Sequence, residues 1–174
     1  MIFVTVGTQK PFPRLTGAMW TWARAHPETE VVMQVGDEEL AGADNLTVHP
    51  TVTSSQFNDY LTRADVVIAH AGIGTILSAR EAGIPVVIMP RRSSLHEHRN
   101  DHQLDTVHAL CDRAGIWVAM DEGDLDDQIA AARSAMMDDS AEAALEPNGV
   151  RTIRDYVVKF IERASSNPSE TKRR

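Results

Sequence analysis

A Rossmann-like α/β fold, a doubly wound parallel sheet in a single domain, is what this 174-residue sequence predicts, on three observations. Short β-branched runs alternate with longer stretches of helical period, the strand–helix–strand repetition of α/β proteins. Several of the runs are almost continuously apolar, as parallel strands covered on both faces are. The glycine-bearing loops follow the first and the fourth run, the two strands that flank the point where a Rossmann-type strand order reverses.

Taken in order, strands are expected at 2–6, 31–35, 46–49, 66–69, 85–89 and 116–119, and helices at 13–25, 54–63, 74–82, 102–114, 124–138 and 149–164. The connection from Gly36 to Asn45 is short for a crossover helix, which makes the unit joining the second and third strands the least regular. The domain is expected to span 1–164. The polar, proline-containing tail 165–174 (SSNPSETKRR) is expected to be disordered.

Composition narrows the class. Hydrophobic residues make up 43% and charged residues 24%, the balance of a folded globular chain. A formal net charge of −8 argues against nucleic acid as the main partner, because phosphate backbones attract basic surfaces. The one cysteine, Cys111, excludes an intrachain disulfide. No apolar run reaches membrane-spanning length, and Met1 leads straight into a strand-like run rather than a secretory leader. The expectation is a cytoplasmic domain. Cys111 shares an apolar stripe with Leu104, Val107 and Ala114 in the 102–114 stretch and is expected to be a buried, inert thiol.

Ligands of open α/β sheets collect at the carboxyl ends of the strands, at the switch point. Two loops fall there: Gly7-Thr8-Gln9 after the first strand, and His70-Ala71-Gly72-Ile73-Gly74-Thr75 after the fourth. Glycine lets a backbone approach a ligand, and a following helix offers free N–H groups to an anion. A diphosphate between the loops is the physical expectation; the same glycines would also serve plain strand-to-helix turns. The third glycine of a dinucleotide fingerprint is missing, and there is neither a Walker A sequence nor a Gly-x-Ser-x-Gly elbow. The fifth strand opens a polar loop, 91–103, suited to a many-hydroxyl ligand such as a sugar. His96, His98 and His102 with Glu97 also have metal-ligand chemistry but no tight zinc spacing, and Asp101 suits a helix N-cap. Asp124-Leu125-Asp126 spells an Asp-x-Asp string but sits among acids at a helix start, where they complement the helix dipole.

These residues carry a family resemblance. The runs 2–8 (IFVTVGT), 64–75 (ADVVIAHAGIGT), 83–90 (GIPVVIMP) and 96–103 (HEHRNDHQ), in that order, resemble the donor-binding half of GT-B glycosyltransferases, the glycosyltransferase family 28 C-terminal family. Within it they are similar to the small donor subunits of two-component UDP-sugar transferases of exopolysaccharide and dolichol-linked glycan synthesis. The resemblance covers 1 to about 160 and implies donor diphosphate contacts at Gly7, Thr8, Gly72, Gly74 and Thr75. It implies sugar contacts at Asn100, His102 and Gln103, and uracil recognition by the backbone around Ser54. There are two departures. Ser78 stands where a cell-wall relative holds the ribose with a glutamate, and Pro13 replaces an acidic residue common in the donor subunits.

The function so implied is that of the donor subunit of an inverting UDP-sugar glycosyltransferase acting on a lipid-linked or nascent glycan, with neither cofactor nor metal. A sugar-nucleotide-binding module without transfer activity, or a nucleotide-sugar epimerase, are the alternatives. Arg91, Arg92 and Arg99 would suit a carboxylated donor, and would equally suit a solvated loop. No catalytic base is evident among the loops. A membrane-anchored acceptor-binding subunit is therefore expected to supply the base and to hold the chain at the membrane. Val150, Ile153, Val157, Phe160, Ile161 and Ala164 form an apolar helical face that would dock on such a partner or pack on the chain's own sheet.

Overall fold

The structure is a computed structural model and describes residues 1–8 and 10–136. The helix expected at 149–164, its docking face, the tail 165–174, Gln9 and the last two residues of the helix expected at 124–138 lie outside the described residues.

Six strands form one parallel sheet: β1 (Ile2–Thr5), β2 (Val31–Gln34), β3 (Leu46–His49), β4 (Val66–His70), β5 (Val86–Met89) and β6 (Ile116–Val118), in the order β3-β2-β1-β4-β5-β6. This is the doubly wound order, with its reversal between β1 and β4, where Thr5 lies beside both Gln34 and Ala69. The helices are α1 (Pro13–Ala25), α2 (Ser54–Arg63), α3 (Ile73–Glu81), α4 (His102–Leu110) and α5 (Leu125–Met136), with 3₁₀ turns at Ser93–Leu95 and Glu122–Asp124.

Alternate strand residues feed two cores, which is why the strands read as continuous apolar runs. Ile2 and Val4 pack with Leu15 and Met19 of α1 and Ile129 of α5. Phe3, pointing the other way, packs with Ile76 of α3 and with Val107 and Leu110 of α4, and meets the Phe57 ring edge-on at 5.5 Å. Each helix start has a local cause. Pro13 occupies the first position of α1, where its fixed φ suits a helix and its missing N–H costs nothing. Thr53 and Gln56 form a capping box on α2.

The irregular unit is where the sequence places it. No helix lies between β2 and β3; Asn45 instead ties the crossing to α1 by donating through Nδ2 to the carbonyls of Ala23, His26 and Thr29 at 2.8, 3.1 and 3.0 Å.

One expectation is corrected. The helix foreseen over 102–114 ends at Leu110, because the chain turns toward Gly115 at φ +77°, a left-handed conformation glycine accepts readily. Cys111 thus leaves the apolar stripe, and its thiol is exposed rather than buried.

Candidate functional site

A cleft of about 810 Å³ opens along the carboxyl ends of the strands at the switch point. Seven of the nine residues that the resemblance assigns to donor contacts line it: Gly7 and Thr8 after β1, Ser54 at the start of α2, Gly72, Gly74 and Thr75 at the start of α3, and Gln103 in the first turn of α4. Ser78, one turn further along α3, lines it too. Asn100 and His102 do not. At a helix start, neighbouring residues point about 100° apart, so Gln103 turns inward and is buried while His102 faces solvent beside Asp105. Asn100 instead pairs through Oδ1 with Nδ1 of His98 at 3.1 Å, and of the histidines in the loop after β5 it is His98 that reaches the cleft.

The floor is a polar network that the sequence did not reveal. The Thr5 hydroxyl donates to Gln34 Oε1 at 2.7 Å and accepts from the Gly7 N–H at 3.2 Å. Gln34 Nε2 donates to the Gly7 carbonyl at 3.0 Å and to the Pro50 carbonyl at 3.3 Å. Two cleft-lining loops are thus fixed to the ends of adjacent strands. Only the oddity of a glutamine inside an apolar strand signals this.

His70 closes the floor at the end of β4. A Cβ at Gly7 would lie 2.6 Å from its Cε1, and one at Gly72 would lie 2.8 Å from the same atom, so the two glycines leave room for this imidazole. Gly7 also holds φ +77°. Burial, then the charge of Arg91, pushes the His70 pKa from the ordinary 6.5 down to about 4, with His98 adding to this and the Thr5 backbone opposing it. The ring is therefore neutral at pH 7, and among the described residues its Nδ1 is buried without a hydrogen-bond partner. Gly74 differs: a Cβ there would meet nothing within 4 Å, so the protein itself does not demand glycine at that position.

The helix start adds donors. Gly72 is the N-cap of α3, which leaves the N–H groups of Ile73, Gly74 and Thr75 without intrahelical acceptors beside the cleft. Such an arrangement can hold an anion against backbone dipoles.

The loop after β5 is held from behind. Arg14 of α1 grips Glu97 through Nε and Nη2 at 2.7 and 2.9 Å, and the Arg92 N–H donates to Glu97 Oε2 at 2.8 Å. Burial opposes both charges, but these bonds and mutual attraction outweigh it, raising the Arg14 pKa and lowering that of Glu97. Glu97 is thereby committed to Arg14, and among the described residues no group of three or more His, Cys, Asp or Glu could hold a metal ion. Asp101 is the N-cap of α4 but spends its carboxylate on the Ser93 N–H and hydroxyl, both at 2.8 Å, which hold its pKa below the usual carboxylate range. Of the acids further on, Asp124 caps a turn by accepting from the Met120 and Asp121 N–H groups, and Asp126 accepts from the Trp22 indole; neither lines the cleft.

The arginine readings change as well. Arg91 is 3% exposed, and its guanidinium bonds to main-chain carbonyls of the β1–α1 loop. Arg92 donates to the Met120 carbonyl at 2.7 Å and pairs with Asp121 at 3.1 Å. Both are tied to the protein rather than solvated, and only Arg99 stays exposed.

Comparison with known proteins bears on the family and the fold. A UDP-N-acetylglucosamine transferase subunit ALG13 of Cryptococcus neoformans var. neoformans serotype D (strain JEC21 / ATCC MYA-565) is 32% identical over 98 residues, 55% of this chain and 45% of that protein. The match thus spans less than half of the relative's length. Among solved structures, the glycotransferase of kitacinnamycin superposes over 93% of this chain and 42% of its own, with TM-score 0.65 and 20% identity. CalG4, the calicheamicin glycosyltransferase, superposes over 99% and 43%, with TM-score 0.59 and 17% identity. The solution structure of ALG13 covers 76% of this chain and 85% of its own, with TM-score 0.55 and 18% identity. At such identities these likenesses establish the fold, and the fold occupies less than half of each of the first two enzymes. The sequence pattern of the glycosyltransferase family 28 C-terminal domain matches residues 1–155, and the chain belongs to that family.

Proposed function

We propose that the chain is the donor-binding subunit of an inverting UDP-sugar glycosyltransferase that works without a metal on a lipid-linked or nascent glycan. The observation that carries this is the convergence of the Gly7 loop and the α3 start on one cleft with the Ser54 helix start and Gln103. In this reading Gly7, Thr8, Gly72, Gly74 and Thr75 hold the diphosphate and the backbone around Ser54 reads uracil. Gln103 serves the sugar; Asn100 and His102, which the resemblance also assigns to it, do not line the cleft. Charge developing on the departing UDP meets the α3 N–H groups, dipoles already oriented before reaction. The name of the fungal relative supports a donor of the UDP-N-acetylglucosamine kind. Residues 1–164 form the donor-binding unit and 165–174 a tail. The acceptor and the base come from a second, membrane-anchored subunit, which holds the chain at the cytoplasmic face of a membrane. Among the described residues no helix is long and apolar enough to cross a membrane, so in this reading the attachment is through that partner.

Calorimetric titration with UDP, ADP and GDP tests the binding half; selective UDP binding is expected, and equal or absent UDP binding overturns it. UDP release from UDP-sugars, with and without membranes of the source cell, tests the rest. Release that depends on membranes is expected. Robust transfer to a lipid-linked acceptor by the isolated chain overturns the two-subunit reading.

A further inference from the structure

Arg91 opens the loop after β5, yet its side chain serves a different loop. Its Nη2 donates to the carbonyls of Lys10 at 2.6 Å and Val6 at 3.1 Å, and its Nη1 to that of Pro11 at 2.7 Å. The guanidinium carbon lies 4.4 Å from the centre of the Phe12 ring, and the Arg91 N–H is anchored on Gln103 Oε1 at 3.0 Å. Val6, Gly7, Thr8, Lys10 and Pro11, the segment so gripped, line the cleft, and so does Arg91 itself.

Two physical consequences follow. A planar fork can satisfy three carbonyls from one fixed position, and an ammonium on a flexible stem cannot. A loop with a left-handed glycine has many conformations, and holding it beforehand removes that ordering cost from ligand binding. The charge also survives. Among the described residues no carboxylate lies within ion-pairing distance of Arg91; burial lowers its pKa, and Glu97 and Glu38 oppose this only through space. Guanidinium keeps its proton in proteins, so a positive charge shielded from water stands beside the cleft while its donors are occupied by carbonyls.

We propose that Arg91 is the positioning residue of the anion subsite: it straps the β1–α1 loop into its receptive shape and supplies a fixed positive charge that favours a diphosphate without touching it. This rests on the nucleotide reading of the cleft, and two readouts keep the two ideas separable. The first needs no ligand. In the wild-type protein the Arg91 Nη hydrogens should give separate, slowly exchanging NMR signals, and the amides of Gly7, Thr8 and Lys10 should exchange at least tenfold faster in Arg91→Lys. The second compares UDP with uridine by NMR titration. Arg91→Lys should weaken UDP about tenfold and Arg91→Met more, while uridine affinity stays within twofold. If Arg91→Lys does not fold, the wild-type guanidinium signals decide the matter: averaged, rapidly exchanging Nη signals overturn the strap. Unchanged loop exchange and unchanged UDP affinity in a folded Arg91→Lys overturn the proposal while leaving the nucleotide reading intact. A wild-type chain that fails to bind UDP overturns that reading, and with it the diphosphate role of Arg91; the loop exchange then tests the strap alone.

Discussion

Acidification from pH 7 to pH 4 isolates one buried group, His70. Its ring is enclosed by the Gly7 and Gly72 backbone, and its pKa falls to about 4 from the ordinary 6.5, chiefly by burial and then by Arg91 and His98. Between those two values the unfolded chain binds a proton at His70 that the folded chain refuses, so stability falls as pH falls. The contribution is fully present above pH 6.5 and lost on approaching pH 4. At 1.36 kcal/mol per unit, a displacement from 6.5 to about 4 corresponds to about 3 kcal/mol. Urea unfolding followed by tryptophan fluorescence at pH 7, 6, 5 and 4, on the wild type and on His70→Asn, measures it. Other acids titrate in both proteins, so the difference between the two stability curves belongs to His70. The wild type is expected to lose about 3 kcal/mol more than the variant across the window. Curves that run parallel to within about 1 kcal/mol would refute the argument that this imidazole is held neutral by burial.

Gly72→Val is expected to destabilise the fold by about 2 kcal/mol or more and to abolish UDP binding, because its Cβ falls on the buried His70 ring; thermal melts and calorimetry read both. Gly74→Ala separates protein from ligand: with nothing within 4 Å, it is expected to keep or raise stability by about 0.5–1 kcal/mol while weakening UDP at least tenfold. Gln103→Ala removes the acceptor of the buried Arg91 N–H and is expected to cost about 1–3 kcal/mol of stability. UDP affinity should survive this change while use of the UDP-sugar weakens, and equal loss of both would contradict the sugar assignment. Glu97→Gln breaks the Arg14 pair, whose side chains are 9% and 12% exposed, and is expected to cost about 3 kcal/mol at pH 7 by denaturant unfolding. Because the Glu97 pKa is lowered from 4.5, its contribution is present above that value and is lost as pH falls below it, so the variant's deficit should shrink in acid.

The sequence by itself determined the sheet. Continuous apolar runs such as 66–69 and 86–89 leave no polar face, so parallel strands between two helical layers were the one arrangement that buries them. The reversal between β1 and β4 then placed Gly7 and Gly72 on a common cleft, and both predicted loops line it. Tertiary structure alone decided which polar groups the protein keeps for itself. Arg91 and Arg92 look like free loop cations in sequence, yet the carbonyls that hold them, those of Val6, Lys10, Pro11 and Met120, lie far away along the chain. His70 reads as one more loop residue, and its neutrality arises from burial against Gly7 and Gly72 and from the charge of Arg91. The start of α4 at His102 was legible in the sequence. Which of His102 and Gln103 turns inward was set by the packing around the helix, and the exposure of Cys111 by an end at Leu110, a turn earlier than its apolar stripe suggests. Periodicity reports which faces are apolar and therefore the layers of the fold. The partner of a buried polar atom is set by contacts between distant segments, and no local pattern records them.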